Sequence, residues 1–553
     1  MVRIKILFLI GFLGFAAVAF GQDRYAVYFK YKPQESFTLT NAGEFLTPKA
    51  IARRTREGIN ADSLDLPVSA KYIDQVQDKA DYLLYSSKWM NALVLVTDES
   101  RKIEIEKLPF VDRVELVAKG FLVNPNARIT YKLRVSTTLE TCKEPKFNER
   151  LMAAESNSYD FQNQLIGIDK MHEEGFTGKG ITIAVFDAGF PGVKNAAAFS
   201  HLFDGNKIIG QKDLVRPWNQ EVFMDNQHGT NVLSLIAAYQ PDKMIAGAYD
   251  SEYILAITEE VATEYRIEEF NWVRAAEYSD SLGADIINSS LGYWDFDDLA
   301  MNYSLEDLDG KTATITKGAS IAAQKGILVV NSVGNYGGRG ASSLVAPADA
   351  EGILAIGSVT QEGAVSGFSS RGPTGDGRIK PDLTAFGQAP VLVYANGAIG
   401  AGQGTSFSAP QITALAAGLW EARPEWTKDQ LILNLIRSAT KSEDPDNDLG
   451  YGIPNFLDAY YGEILAIEEI EKPEYRIFPN PLINSELSIQ FGNGYQAYFE
   501  LIDGSGRTFQ SQVLIRSSIK ENYQVDLGSI KPGLYLIRLR EGGDFYQTKL
   551  LKK

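Results

Sequence analysis

The sequence is poor in the residues that most often cross-link a chain or carry its reactive groups. Among 553 residues there is one cysteine, Cys142, so no intramolecular disulfide can form and no thiolate cluster can hold zinc. There are three histidines, His172, His201 and His228, which leaves few choices for general-base chemistry. Cations are also outnumbered. Lys plus Arg is 54, Asp plus Glu is 70, and the formal net charge is −16. Contacts to nucleic-acid phosphates need clustered cations, so that class of partner is excluded. After the amino terminus no segment reaches the roughly 18 consecutive apolar residues that a membrane-spanning helix needs.

What is present is ample core material. Hydrophobic residues make up 44% and aromatics 11%, which excludes wholesale disorder. At roughly 100–200 residues per domain the length predicts three or four domains. Arg3 and Lys5 precede an apolar run from Ile6 to Phe20, with small residues at Ala17-Val18-Ala19 and Ala19-Phe20-Gly21. This reads as a secretory signal peptide over residues 1–21, with an uncleaved anchor as the alternative. Residues 22–150 mix short β-like runs (Tyr25–Tyr31, Ala92–Thr97, Val111–Leu116) with charged helical segments. They carry 21 basic and 18 acidic residues. Residues 151–470 alternate buried β runs with helical patterns, the mark of βα repeats and a parallel sheet. Here 20 basic face 43 acidic residues, a balance of −23. Residues 471–553 are short alternating strands between Gly, Asn and Pro turns, with 11 basic and 9 acidic residues, and predict a small β-sandwich.

Four motifs of the middle segment bear on chemistry. The run Ile181–Phe186 predicts a buried strand that delivers Asp187 at its carboxyl end, the edge where open α/β sheets bind ligands. His228-Gly229-Thr230 precedes an apolar stretch that predicts a buried helix with His228 on its first turn. Gly326–Gly337 predicts another buried strand that ends at Asn335, flanked by glycines, an ordinary turn residue or an amide donor on that same edge. Gly404-Thr405-Ser406-Phe407-Ser408-Ala409-Pro410 leads into an apolar helix over Gln411–Ala422. A serine there is usually only a cap, but Gly402 and Gly404 allow close backbone approach and the helix dipole favours negative charge nearby. His172 and His201 lack such a setting and read as structural.

In the order Asp187, His228, Asn335, Ser406, with gaps of 41, 107 and 71 residues, the motifs resemble those of the subtilisin-like serine proteases. The likeness runs from about Gly167 to Tyr460. It departs at Ala188, where Thr or Ser is common, at Phe190, where a smaller residue is usual, and at Asn231, where a second His is frequent. The resemblance implies a three-layer α/β domain with Asp187, His228 and Ser406 as triad and Asn335 as oxyanion donor. It further implies a peptide-lining segment at Ser290, Leu291 and Gly292, with a second wall at Val333 and Gly334. A non-catalytic surface or adhesion protein retaining the fold is the rival expectation.

The flanks carry resemblances of their own. Phe45–Ala50, Arg53-Arg54 and Ser87–Ala92 look like prodomain motifs, implying a small α+β folding aid and temporary inhibitor over 22–150, released between about Tyr131 and Tyr159. Ile477-Phe478-Pro479-Asn480-Pro481, Phe499–Arg507, Leu527–Ile537 and Lys549–Lys553 are similar to the carboxyl-terminal sorting domain of the type IX secretion route. This implies outer-membrane secretion machinery as a partner and a secreted or surface location. Peptides or proteins would be the substrates. The chemistry requires no cofactor. Structural calcium is compatible with the family, but no ligand set is readable. Asp444–Gly450 alternates oxygen side chains, yet its glycine falls one place late and Asn455 stands where a bidentate Glu belongs, so an acidic turn is the default.

Overall fold

Apolar β-branched runs with no polar alternation need both faces covered, and between residues 158 and 462 they are. The computed structural model describes residues 22–34, 36–121, 158–467, 476–490, 496–504, 506–515, 522–541 and 544–553. The expected signal segment, Cys142 and nearly all of the expected release zone lie outside these residues. The chain divides into two compact units, with the boundary between Gly462 and Glu463.

The amino-terminal part of the first unit is an antiparallel sheet of β1 (Gln22–Phe29), β2 (Tyr82–Ser87), β3 (Ala92–Thr97) and β4 (Val111–Phe121), in the order β2-β3-β1-β4. The last strand is longer than the sequence predicts. Helices α1 (Pro48–Arg56), α2 (Ala70–Gln77) and α3 (Glu99–Glu106) complete it, giving the expected α+β layout. Alternation along β1 divides its side chains between two cores. Tyr25, Val27 and Phe29 pack with Val76 and Ile105 of the segment's own helices, whereas Ala26 and Tyr28 pack with Ile267 and Phe270 of the peptidase-like part.

That larger part is built on seven parallel strands. They are β5 (Thr182–Asp187), β6 (Ile208–Asp213), β7 (Glu252–Ile257), β8 (Ile286–Ser289), β9 (Leu328–Ser332), β10 (Leu354–Val359) and β11 (Leu383–Phe386), in the order β11-β10-β9-β8-β5-β7-β6. Helices cover both faces, and the strand period of two assigns the layers. Ile183, Val185, Val330 and Ile356 face α4 (His228–Ala237) and α5 (Ala409–Ala422). Ala184, Phe186, Ile287 and Val329 face α6 (Ile267–Leu282) and α7 (Thr314–Gln324). Helix α5 takes Ala409 and Pro410 into its first turn, where proline is tolerated. It is buried throughout its first twelve residues, as expected for a helix apolar on all sides.

A buried ionic cluster ties the amino-terminal segment to α6. Arg53 and Arg54 of α1 both bind Asp280. Arg54 Nη2 also reaches Asp65 at 2.9 Å, and Lys325 Nζ reaches Asp65 at 3.0 Å. Arg53 further donates to the Ala284 carbonyl at 2.5 Å, just past the Gly283 cap of α6. Burial alone would raise the Asp65 carboxyl, but Arg54 and Lys325 hold it well below the usual carboxylate range. Glu277 of α6 accepts from the Ser87 hydroxyl at 2.5 Å and the Trp89 N–H at 2.9 Å.

The second unit is a pair of antiparallel sheets. One joins β12 (Arg476–Phe478), β13 (Glu486–Gln490) and β16 (Tyr523–Asp526). The other joins β15 (Thr508–Ile515), β14 (Gln496–Ile502), β17 (Gly533–Glu541) and β18 (Asp544–Lys552), in that order. Leu487, Ile489, Phe499, Leu501, Val525, Ile537 and Leu539 form its core, the alternation of a β-sandwich.

Candidate active site

The carboxyl edge of the parallel sheet collects the polar groups singled out from the sequence. Strand β5 ends on Asp187, which is fully buried. Its carboxylate accepts the Ala188 N–H at 2.7 Å and meets His228 Nδ1 at 2.9 and 3.0 Å. His228 opens α4, and its own N–H is capped by Asn226 Oδ1 at 2.9 Å. The helix lies so close to the strand end that a Cβ on Gly229 would stand 2.3 Å from the Gly189 carbonyl oxygen and 2.9 Å from Asp187 Cβ. Only glycine permits that approach. Asp187 therefore holds Nδ1, while 27% of the His228 side chain stays exposed.

Burial alone would depress the His228 pKa. The charge and hydrogen bond of Asp187 outweigh it, Glu259 adds to them, and the pKa lies above its ordinary value. Glu259 stands two residues past the end of β7, the parallel neighbour of β5 in which Ile257 is in register with Asp187. Its carboxylate accepts from the Tyr293 hydroxyl at 2.7 Å and the Thr258 hydroxyl at 2.8 Å. Burial, with a contribution from Asp187, pushes it up to about 7 against those hydrogen bonds.

Ser406 sits in a 3-10 turn, Thr405–Phe407, immediately before α5. Gly404 enters that turn at φ +147, a conformation costly for any residue with a Cβ. The Ser406 hydroxyl donates to the Ser290 carbonyl at 3.3 Å, and the Ser290 hydroxyl donates to the Ser406 carbonyl at 2.8 Å. The hydroxyl is thus parked on the Ser290 carbonyl rather than on the imidazole, and rotation about one staggered torsion redirects it. The His228 ring lies 5.6 Å from the Phe407 ring, beside the same turn.

Asn335 lies three residues beyond the end of β9, not on the strand itself. Its Oδ1 accepts the Thr405 N–H at 2.9 Å and the Thr405 hydroxyl at 3.0 Å. Two donors on the oxygen fix the amide of this exposed side chain beside the turn that carries Ser406.

The five expected peptide-lining residues surround these groups in different ways. Ser290 is buried, Leu291 and Gly292 are half-buried, and the Leu291 carbonyl is held by Asn331 Nδ2 at 3.1 Å. The Val333 side chain is fully buried in the core beneath, and its N–H and C=O are engaged with Ile356 and Val345. Val333 thus offers the cleft no side chain. Gly334 is half-buried, at φ +104.

The remaining histidines lie elsewhere. His172 Nε2 meets the Gly247 carbonyl at 3.1 Å, and His201 packs edge-on to Tyr239. In the Asp444–Gly450 turn, Asp446 accepts the Asp448 and Leu449 N–H groups at 2.9 and 2.7 Å and pairs with Lys441, while Asp448 pairs with Arg371. Among the described residues no group of three or more His, Cys, Asp or Glu side chains could hold a metal ion.

Sequence reasoning missed Glu259 and Tyr293. A signal for Glu259 existed: a polar residue just past an apolar run, at the same sheet edge as Asp187. Nothing local marks Tyr293.

Comparison with known proteins agrees with the layout. Residues 178–453 match the model of the subtilase family, residues 24–130 that of the peptidase S8 propeptide domain of Bacteroidota, and residues 476–553 that of the secretion system C-terminal sorting domain. Subtilisin amylosacchariticus of Bacillus subtilis subsp. amylosacchariticus is 26% identical over 375 residues, 67% of this chain and 81% of that one. Subtilisin-like protease SBT6.1 of Arabidopsis thaliana is 28% identical over 333 residues, 58% of this chain and 29% of that one. The solved structure of MycP1 from Mycobacterium smegmatis aligns at 21% identity and a TM-score of 0.44, covering 55% of this chain and 86% of that one. The chain belongs to the subtilase family, with a peptidase S8 propeptide domain before its subtilase domain and a secretion sorting domain after it.

Proposed function

We propose that the chain is an exported serine endopeptidase, made as a zymogen, that cuts peptide bonds through an acyl-enzyme on Ser406. The observation that carries this reading is the hydrogen bond from His228 Nδ1 to the buried Asp187, with the ring beside the turn of Ser406. Ser406 Oγ is too weak an acid to attack unaided. His228 Nε2 takes its proton as Oγ adds to the carbonyl carbon, then returns it to the leaving amine. Asp187 keeps the proton on Nδ1, so Nε2 is the basic nitrogen, and its charge stabilises the imidazolium. The Asn335 NH2 and the Ser406 N–H donate to the oxyanion. Loss of one such donor typically costs on the order of 10²–10³ in rate. Water then repeats the sequence to release the acid.

The zymogen reading draws on the docked amino-terminal segment. Its last strand, β4, comes to the loop after Gly292, where Lys119 Nζ pairs with Asp298 at 2.6 Å. An inhibitor that leads its chain toward the peptide-lining segment needs that arrangement. The sorting domain supports export, and we read the route as one that crosses the outer membrane to a secreted or surface location.

Fluorophosphonate labelling of prodomain-free protein tests the enzyme reading. A single adduct on Ser406, absent in Ser406→Ala, is expected. No adduct on folded protein would instead favour a surface protein that has kept the fold.

A further inference from the structure

Strands β8 and β9 pair in register from Ile286 with Leu328 to Ser289 with Asn331. Past that point the two chains part. Ser290–Gly292 follows one strand and Val333-Gly334 the other, and Ser290 exchanges hydrogen bonds with Ser406. A third segment meets both. Val345 is 2% exposed, and its side chain touches both glycines. A Cβ on Gly292 would stand 2.1 Å from Val345 Cγ2, and a Cβ on Gly334 would stand 3.0 and 3.1 Å from Cγ2 and Cγ1. One isopropyl group therefore spans the distance between the two backbone walls. It is held from below: the Val345 N–H donates to the Val333 carbonyl at 3.3 Å, and Ala346 pairs with Tyr293 through bonds of 2.8 and 3.1 Å.

The opposite requirement comes from the substrate. The Gly292 N–H and C=O have no partner among the described residues, so an extended peptide can pair with them as an added strand. If the attacked carbonyl carbon lies at Ser406 Oγ with its oxygen toward the Asn335 amide, the side chain of that residue points between Gly292 and Gly334. That space already contains Val345.

We propose, resting on the protease reading above, that Val345 closes the acyl-side pocket and restricts cleavage to bonds that follow glycine, alanine or serine. A methyl group or a hydroxymethyl group fits above the isopropyl floor. A leucine or phenylalanine side chain does not, unless the walls spread. Overpacking of a rigid cleft is resisted as it is in a protein core. A mismatch of one methylene in such a pocket is worth roughly 10–200-fold in kcat/KM.

The test compares the full-length, self-processed protein with Val345→Gly on peptides that differ only at the residue before the cut, Gly, Ala, Leu or Phe. The expected wild-type result is a kcat/KM at least tenfold higher for Ala than for Leu, and higher again than for Phe. In Val345→Gly the Leu-to-Ala ratio should rise at least tenfold, chiefly through KM. Should Val345→Gly melt early, Val345→Ala carries the same comparison with a smaller rise. Wild-type protein that cleaves after Leu or Phe as readily as after Ala, while Ser406 takes the fluorophosphonate, overturns the pocket assignment alone. Unchanged ratios in both variants do the same. Absence of the Ser406 adduct in wild-type protein overturns the protease reading and this inference with it.

Discussion

Two aspartates, both fully buried and less than a hundred residues apart in sequence, are treated in opposite ways. Asp280, on α6, is met by two guanidinium groups from the amino-terminal segment, and Lys325 completes the cluster through Asp65. Asp187, at the end of β5, is met by one imidazole and one backbone N–H, and a further carboxylate, Glu259, stands close enough to raise the His228 pKa. At the docking face, charge is matched by guanidinium groups. At the sheet edge the counter-charge is left to an imidazole. The first arrangement holds two segments together. The second sets the proton affinity of a base.

The sharpest way to break the contrast is to unmatch the docking face. Arg53→Ala, made in Ser406→Ala protein so that the amino-terminal segment stays attached, should cost about 3–5 kcal/mol, because Asp280 keeps its burial and loses a partner. The measurement is denaturant unfolding of the first unit. An effect below 1 kcal/mol would mean that water reaches Asp280. A smaller effect is expected from Lys49→Ala. Its partner Glu252 lies 3.0 Å away, but the two side chains are 35% and 43% exposed, and a solvent-screened pair of this kind contributes at most about 1 kcal/mol. Equal losses for the two variants would remove burial as the deciding variable.

The smallest shift is expected at the sheet edge. Glu259 raises the His228 pKa, and the general base proposed above works in its neutral form, so activity is expected to grow as pH rises through that pKa. With its own pKa pushed up to about 7, Glu259 is only partly ionised over that range, and Glu259→Gln removes the partial charge that favours the imidazolium. The acid limb of kcat/KM should then move to lower pH by about 0.3–0.5 units. A limb that stays in place, or moves upward, would remove Glu259 from the electrostatics of the base.

These particulars also mark what the sequence made legible. Asp187 and His228 stood out because an apolar strand ends on one and a buried helix begins with the other, both of them local patterns. Residues 22–150 carry only a slight cationic excess, and that figure concealed the docking face. Arg24, Lys49, Arg53, Arg54 and Arg56 all meet acidic groups of the larger part, a match that depends on which side of α1 and β1 turns inward. Glu259 and Val345 were illegible for a related reason. Glu259 acts on His228, 31 positions away, and Val345 reaches Gly292, 53 positions away, and no short window records such an approach. The parked Ser406 hydroxyl belongs to the same group, since a rotamer follows from neighbours rather than from sequence spacing.

Strand β1 has side chains in two hydrophobic clusters, and only one of them belongs to its own segment. Severing the chain after the amino-terminal segment would therefore not set the two pieces apart. Ala26, Tyr28, Val94 and Val96 on one piece, and Ile267 and Phe270 on the other, would each have to be wetted before the pieces could separate. The nicked protein would persist as a tight complex whose lifetime is set by buried apolar and ionic contact rather than by the missing peptide bond. Its activation clock would then run on destruction of the bound fragment, because a piece that cannot easily leave intact can still be digested where it sits.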